Sequence, residues 1–187
     1  MAIKIYIDQG HNPQSPNSGA EGNGYREQDL VYEIGIRLRD LLVDNGNFEV
    51  RLSRPTPETQ LGTSNASSLS ARTSEANRWG ADYFISLHTN AGVPSASGTE
   101  AFVYSIPSEA SYLADDIVEG ITEQTGLRDR GVFARPSLWV LRRSEMPAVL
   151  CELGFISNAS DASLMANEPD LFARGIYFGI LNYLGLD

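Results

Sequence analysis

Short strand-like segments alternate with helical ones along the whole chain, and this limits the fold more than any other feature. IKIYID (3–8), FEVRLS (48–53), YFISLH (83–88), TEAFVYS (99–105) and AVLCEL (148–153) are rich in β-branched and aromatic residues. Each is bounded by Gly, Pro, Asn or Ser, as buried strands are. Helical periodicity lies between them. Leu30, Ile34, Leu38 and Leu41 recur within 27–43, with Gly46 as a stop, and LSARTSEANRWG (69–80) closes on Gly80. A third helix over 108–126 puts Leu113, Ile117 and Ile121 on one face, and a last one uses Phe172, Ile176, Ile180 and Leu184. Such alternation predicts an α/β fold with a mixed, mostly parallel twisted sheet flanked by helices on both faces. With no repeat or linker in view, all of 1–187 reads as one domain, long enough to bury a large core.

Charge and composition exclude several functions. With 14 basic against 24 acidic residues, the net charge is -10. A nucleic-acid partner would ask for clustered Lys and Arg, so none is expected. No run of about 18 apolar residues exists to span a membrane. The single Cys151 rules out an internal disulfide. The first residues also lack the basic start and apolar stretch of a secretion signal, so the chain is expected to carry none.

In an open α/β sheet, ligands gather beyond the carboxyl ends of the strands. The chain has two histidines, and both fall there: His11 follows IKIYI after a glycine able to turn the backbone sharply, and His88 ends YFISL. One histidine alone is most often structural, but two imidazoles brought to one edge by adjacent parallel strands form a natural seat for zinc. A catalytic zinc takes three protein ligands and leaves a position for water. Glu27 is the first choice for the third ligand, since it opens a helix just after the glycine-rich loop that starts at His11; Glu21, Glu33 and Glu100 remain rivals on spacing alone. Its plain alternative is a first-turn acid complementing the helix dipole.

Glu152 ends a strand too apolar to be exposed, so its carboxylate needs a partner, such as Arg72 or Arg142, or a task. Beside a metal it would move protons as general base and then acid. Zinc lowers the pKa of a bound water from 15.7 to roughly 7 and stabilises the oxyanion formed on attack at an amide, so the parts describe amide hydrolysis. Cys151 could instead be the nucleophile of a thiol amidase, but side chains alternate along a strand. If Glu152 faces the site, Cys151 faces the packed side. Arg72 and Asn77 read as struts fixing helix to sheet, and Asn90 as a ligand-positioning or turn residue. Two polar loops, 12–26 and 53–68, read as walls of the site.

The segments IDQGHN, GYREQDL, LSARTSEAN, SLHTNA, GTEAFVY and LRRSEMPAVLCELGFISN, in this order and spacing, resemble the zinc-dependent N-acetylmuramoyl-L-alanine amidases of autolysins, spore-associated hydrolases and phage endolysins. The likeness covers essentially the whole chain. It implies that His11, Glu27 and His88 bind one zinc ion, that Glu152 is the catalytic carboxylate, and that no further cofactor is used. The implied substrate is peptidoglycan, cut at the amide between the lactyl group of N-acetylmuramic acid and L-alanine. Action on the bacterial cell wall follows. The chain is expected to be a monomer, and since its acidic charge gives no help on an anionic wall, a targeting or activating protein partner is expected to assist it. One departure stands out: many members read Asp-Pro-Gly-His-Gly-Gly where this chain has Asp8-Gln9-Gly10-His11-Asn12-Pro13, so the loop after His11 is expected to take its own path. Two other readings remain, a wall-binding or regulatory module without turnover and a zinc peptidase cutting within the stem peptide.

Overall fold

A computed structural model describes residues 2–186; Met1 and Asp187, the outermost residues of the expected domain, lie outside them. The elements follow in the order β1 (Ile3–Gln9), β2 (Glu21–Gly22), β3 (Tyr25–Arg26), α1 (Glu27–Asn45), β4 (Phe48–Leu52), α2 (Asn65–Trp79), β5 (Tyr83–Asn90), β6 (Thr99–Val103), α3 (Glu109–Thr125), β7 (Asp129–Ala134), α4 (Trp139–Arg143), β8 (Ala148–Phe155), α5 (Ala159–Asn167) and α6 (Pro169–Leu184). Among the described residues no helix is long and apolar enough to cross a membrane.

The six-stranded sheet has the order β4-β1-β5-β8-β6-β7. β1 is parallel to β4 and β5, and β5 to β8; β6 runs antiparallel to β8 and parallel to β7. The sheet is therefore mixed and mostly parallel, as the alternation predicts. Its sixth strand, β7, was not expected, because DRGVFA has neither an apolar run nor alternation. At the edge of the sheet its residues stay half-buried or exposed, and backbone pairing suffices there. The short helices α4 and α5 were also not foreseen.

Helices cover both faces, as expected. On one side Ile5, Ile7, Ile85, Leu87, Val149, Cys151 and Leu153 pack against buried residues of α1, α3 and α6. On the other, Tyr6, Phe84, Ala148 and Leu150 pack against Ala76 of α2 and Val140 and Leu141 of α4. Ser64 and Ser108 cap α2 and α3 with reciprocal capping boxes, and left-handed Gly46 and Gly80 end α1 and α2. The second face is apolar only over its lower half. Nearer the carboxyl ends of β1, β5 and β8 the inward positions become Asp8, Ser86, His88 and Glu152.

Candidate metal centre

Parallel pairing of β1 with β5, and of β5 with β8, carries His11, His88 and Glu152 to one edge. His88 and Glu152 are register partners across β5 and β8. β8 runs three residues beyond Glu152 to Phe155, and the pairing slips between His88 and Asn90, so Glu152 lies inside its strand and not at the tip.

The glycine before His11 acts differently from the expected sharp turn. Gly10 has an ordinary backbone, and the left-handed residue is His11 itself, at φ 65°. Gly10 is required for proximity: a Cβ there would lie 2.5 Å from Cε1 of His88 and 2.6 Å from the carbonyl oxygen of Leu87. Only a hydrogen lets β1 pass this close to the second imidazole. The two rings meet edge to face with centroids 4.9 Å apart.

Glu27 is the first residue of α1, and a small hairpin delivers it. β2 and β3 pair antiparallel around Asn23 and Gly24, both at positive φ, the two-residue turn that Asn-Gly favours. The Asn23 amide donates to the carbonyl of Ile156 at 2.8 Å, tying the hairpin to the loop after β8. The Glu27 carboxylate is then buried between the imidazoles. Its Oε2 lies 3.2 Å from Nε2 of His11 and its Oε1 3.1 Å from Nδ1 of His88. Backbone N–H groups of Ala20 and Thr89 each donate to one of these oxygens at 2.9 Å. Burial disfavours its charge, but hydrogen bonds to His11 and His88 outweigh that and hold Glu27 well below the usual carboxylate range. The reciprocal holds for His88, where the pull of Glu27 exceeds the burial penalty and raises the imidazole pKa.

One ligand atom from each of His11, Glu27 and His88 lies within 4.8 Å of the others. The two carboxylate oxygens face one imidazole each, Oε2 toward His11 at 3.2 Å and Oε1 toward His88 at 3.1 Å, so the carboxylate spans the gap between the rings. Two imidazole nitrogens and a carboxylate oxygen, converging in this way, fit a divalent metal. Elsewhere the rivals of Glu27 are engaged. Glu21 is exposed on the hairpin, Glu33 pairs with Arg37 on the solvent side of α1, and Glu100 takes hydrogen bonds from Asn90 and Arg130.

Among the described residues Glu152 has no arginine partner. Arg72 is committed to Asp8 and Arg142 stacks on Trp139, and Oε2 of Glu152 is buried with no hydrogen-bond partner. Burial lifts its pKa to about 7; Glu27 and Glu100 add to the rise and His88 opposes it. A carboxyl poised there can both accept and return a proton near neutrality. Cys151 points to the opposite face, into the packed core, and burial pushes its thiol up to about 12.

Arg72, expected as a strut from helix to sheet, holds the site from behind, with Asp8 as a partner the sequence does not mark. Arg72 and Asp8, both buried, pair at 2.6 Å beneath the loop of His11. Asn12 is a tie without a sequence signal: its side chain bonds to the carbonyls of Pro16 and Leu61 and to the N–H of Leu61. The two polar loops therefore join each other through Asn12 and form the walls of an open pocket of about 610 Å³ lined by Pro13, Pro16, Arg26, Pro57, Gln60 and Gly62. Asn-Gly at 23–24 was the legible sign of the hairpin; nothing in the pattern marks Asn12 as a tie.

Comparison with known proteins agrees along the chain. The sequence pattern of a family described as N-acetylmuramoyl-L-alanine amidase matches residues 5–182. The N-acetylmuramoyl-L-alanine amidase CwlM of Bacillus licheniformis is 35% identical over 188 residues, covering 98% of this chain and 70% of that relative. Among solved structures, an N-acetylmuramoyl-L-alanine amidase from Clostridium difficile 630 superposes with a TM-score of 0.88 at 31% identity, over 98% of this chain and 97% of that one. The CwlD amidase from Clostridioides difficile, solved in complex with the GerS lipoprotein, has a TM-score of 0.88 at 26% identity, over 99% and 100% of the two chains.

Proposed function

Because the chain belongs to the N-acetylmuramoyl-L-alanine amidase family and is a peptidoglycan amidase, we propose that it works with one catalytic zinc ion held by His11, Glu27 and His88, and with Glu152 as the residue that moves the proton. The whole chain, 1–187, is then one catalytic domain. The bond cut joins the lactyl carbonyl of N-acetylmuramic acid to the nitrogen of L-alanine.

One observation carries this reading. Three donors converge within 4.8 Å, and the register partner of one of them is the half-buried Glu152, whose buried Oε2 has no hydrogen-bond partner among the described residues. A buried carboxylate oxygen without a protein partner calls for another polar group beside it. Substrate and water are the groups that would satisfy it.

When bound, zinc would polarise the attacking water and the substrate carbonyl. The protein's own part is proton transfer and positioning. Glu152 takes a proton from the water as its oxygen bonds to the lactyl carbon. It then returns that proton to the alanine nitrogen as the C–N bond breaks, leaving a free carboxylate on the sugar and a free amine on the stem peptide. Glu27, fixed by two backbone N–H groups, keeps the imidazoles turned toward one point. A protein partner belongs to this reading as well, since an acidic chain gains nothing from charge on an anionic wall. Full lysis of intact walls by the isolated chain would remove the need for one.

The test is Glu152→Gln. Turnover on muropeptides, read as new L-alanine amines, should fall by about 10²–10⁴-fold, while zinc measured by elemental analysis stays bound. Full activity in that variant would overturn the mechanism.

A further inference from the structure

His11 reaches the site from a residue in the left-handed region, φ 65°, which a residue with a Cβ adopts only when its surroundings impose it. One side chain holds the main chain on both sides of Gly10. Arg72 of α2 is buried, 1% exposed, and its guanidinium straddles Gly10. Nη1 donates to the carbonyl of Gln9 at 2.6 Å and to Oδ1 of Asp8 at 2.6 Å; Nη2 donates to the carbonyl of His11 at 2.6 Å. Asp8 is itself held by the Ser86 hydroxyl on the neighbouring strand at 2.7 Å. The peptides after Gln9 and after His11 donate their N–H groups to the carbonyls of Leu87 and Asn17, and their carbonyls are both taken by this one flat group, so it bridges the two ends of the backbone that aims the His11 ring.

We infer that Arg72 is a positioning residue for the metal centre, presetting His11 as a ligand through its main chain, with Asp8 and Ser86 fixing the guanidinium in turn. This rests on the ligand assignment proposed above and goes beyond it. The role differs from a bolt between helix and sheet, for which one ion pair to Asp8 would serve. Its geometry needs two amino groups on a rigid plane, which lysine does not have. Partners behind a ligand typically alter metal affinity by about 10–100-fold, and the same scale applies here.

The experiment is a titration of the metal-free chain with Co²⁺ and Zn²⁺ against a chromogenic chelator, with the Co²⁺ visible spectrum recorded alongside urea unfolding. Arg72→Lys should bind about 10–100-fold more weakly with a shifted Co²⁺ band, and Ser86→Ala should move both in the same direction by less. Leu141→Ala, a core truncation on the buried side of α4, should lose stability with affinity and spectrum unchanged. A folded Arg72→Lys with wild-type affinity and spectrum overturns the inference. If that variant does not fold, Ser86→Ala decides in the same way. Failure of the wild-type chain to bind either metal at His11, Glu27 and His88 would overturn the proposed function itself, a separate result.

Discussion

The same three strands build two opposite things. On the face toward α1, α3 and α6, Ile7, Leu87 and Cys151 are buried in continuous apolar packing. Their immediate neighbours Asp8, His88 and Glu152 face the other way, where apolar packing covers only the lower half of the sheet. A step of one residue along each strand thus separates core from chemistry, because side chains alternate. The core face is held by area removed from water and tolerates exchange of similar volumes. The site face is held by hydrogen bonds and charges that fix where each donor points, with Glu27 held by backbone N–H groups as well as by the imidazoles.

That difference is sharpest at adjacent residues of β5. Leu87→Ala should cost about 2–5 kcal/mol of stability in urea unfolding and leave metal affinity of the folded molecules unchanged. His88→Ala should do the reverse, with a modest effect on stability and a loss of metal affinity greater than about 100-fold, since a ligand matters more than the groups behind it. If the two variants lose stability and metal together, the faces are not independent and the comparison fails.

The core face was largely legible in sequence, and the site face only in part. Ile5, Leu87 and Val149 announce themselves because burial of apolar area leaves a periodic trace in each strand. His11, His88 and Glu152 were legible for a related reason: polar groups interrupt apolar runs where a sheet meets solvent. Glu27 could be ranked but not fixed, because its placement depends on the hairpin around Asn23 and Gly24 and on backbone donors at Ala20 and Thr89. Arg72 was read as a strut between helix and sheet, and its carbonyl partners at Gln9 and His11 are main-chain atoms without any sequence signature. β7 was invisible for the same reason, being an edge strand held by backbone pairing.

A second contrast between the faces lies in pH. Burial raises Glu152 to about 7, so in the metal-free chain the folded state holds this proton more tightly than the unfolded state does. The sign follows: folding loses stability as pH rises from the ordinary carboxylate value through about 7, and regains it below. Glu152→Gln removes that penalty. It should stabilise the metal-free protein by roughly 1–3 kcal/mol at pH 8 and much less at pH 5, measured by urea unfolding in chelator. Asp8 works in the opposite sense. Burial acts against its charge, but Arg72 holds its pKa below the usual range, so its contribution is present above that range and is lost as pH falls through the folded value. An equal gain for Glu152→Gln at both pH values would mean that the carboxylate is solvated, and the site face less demanding than its geometry implies.

The smallest expected effect tests the rule that divides the faces. Cys151 is the direct neighbour of Glu152, fully buried among apolar side chains, with its thiol pushed up to about 12. At neutral pH it holds its proton and is no nucleophile, since the thiolate is the reactive form. Its sulfur contributes packing alone. Cys151→Ala should therefore cost about 1 kcal/mol of stability and leave kcat on muropeptides within error of the wild type, and thiol alkylation of the folded protein should be slow. A large loss of turnover with stability intact would place sulfur in the chemistry. It would also mean that β8 presents both residues to the substrate, which the pleat of a regular strand does not permit.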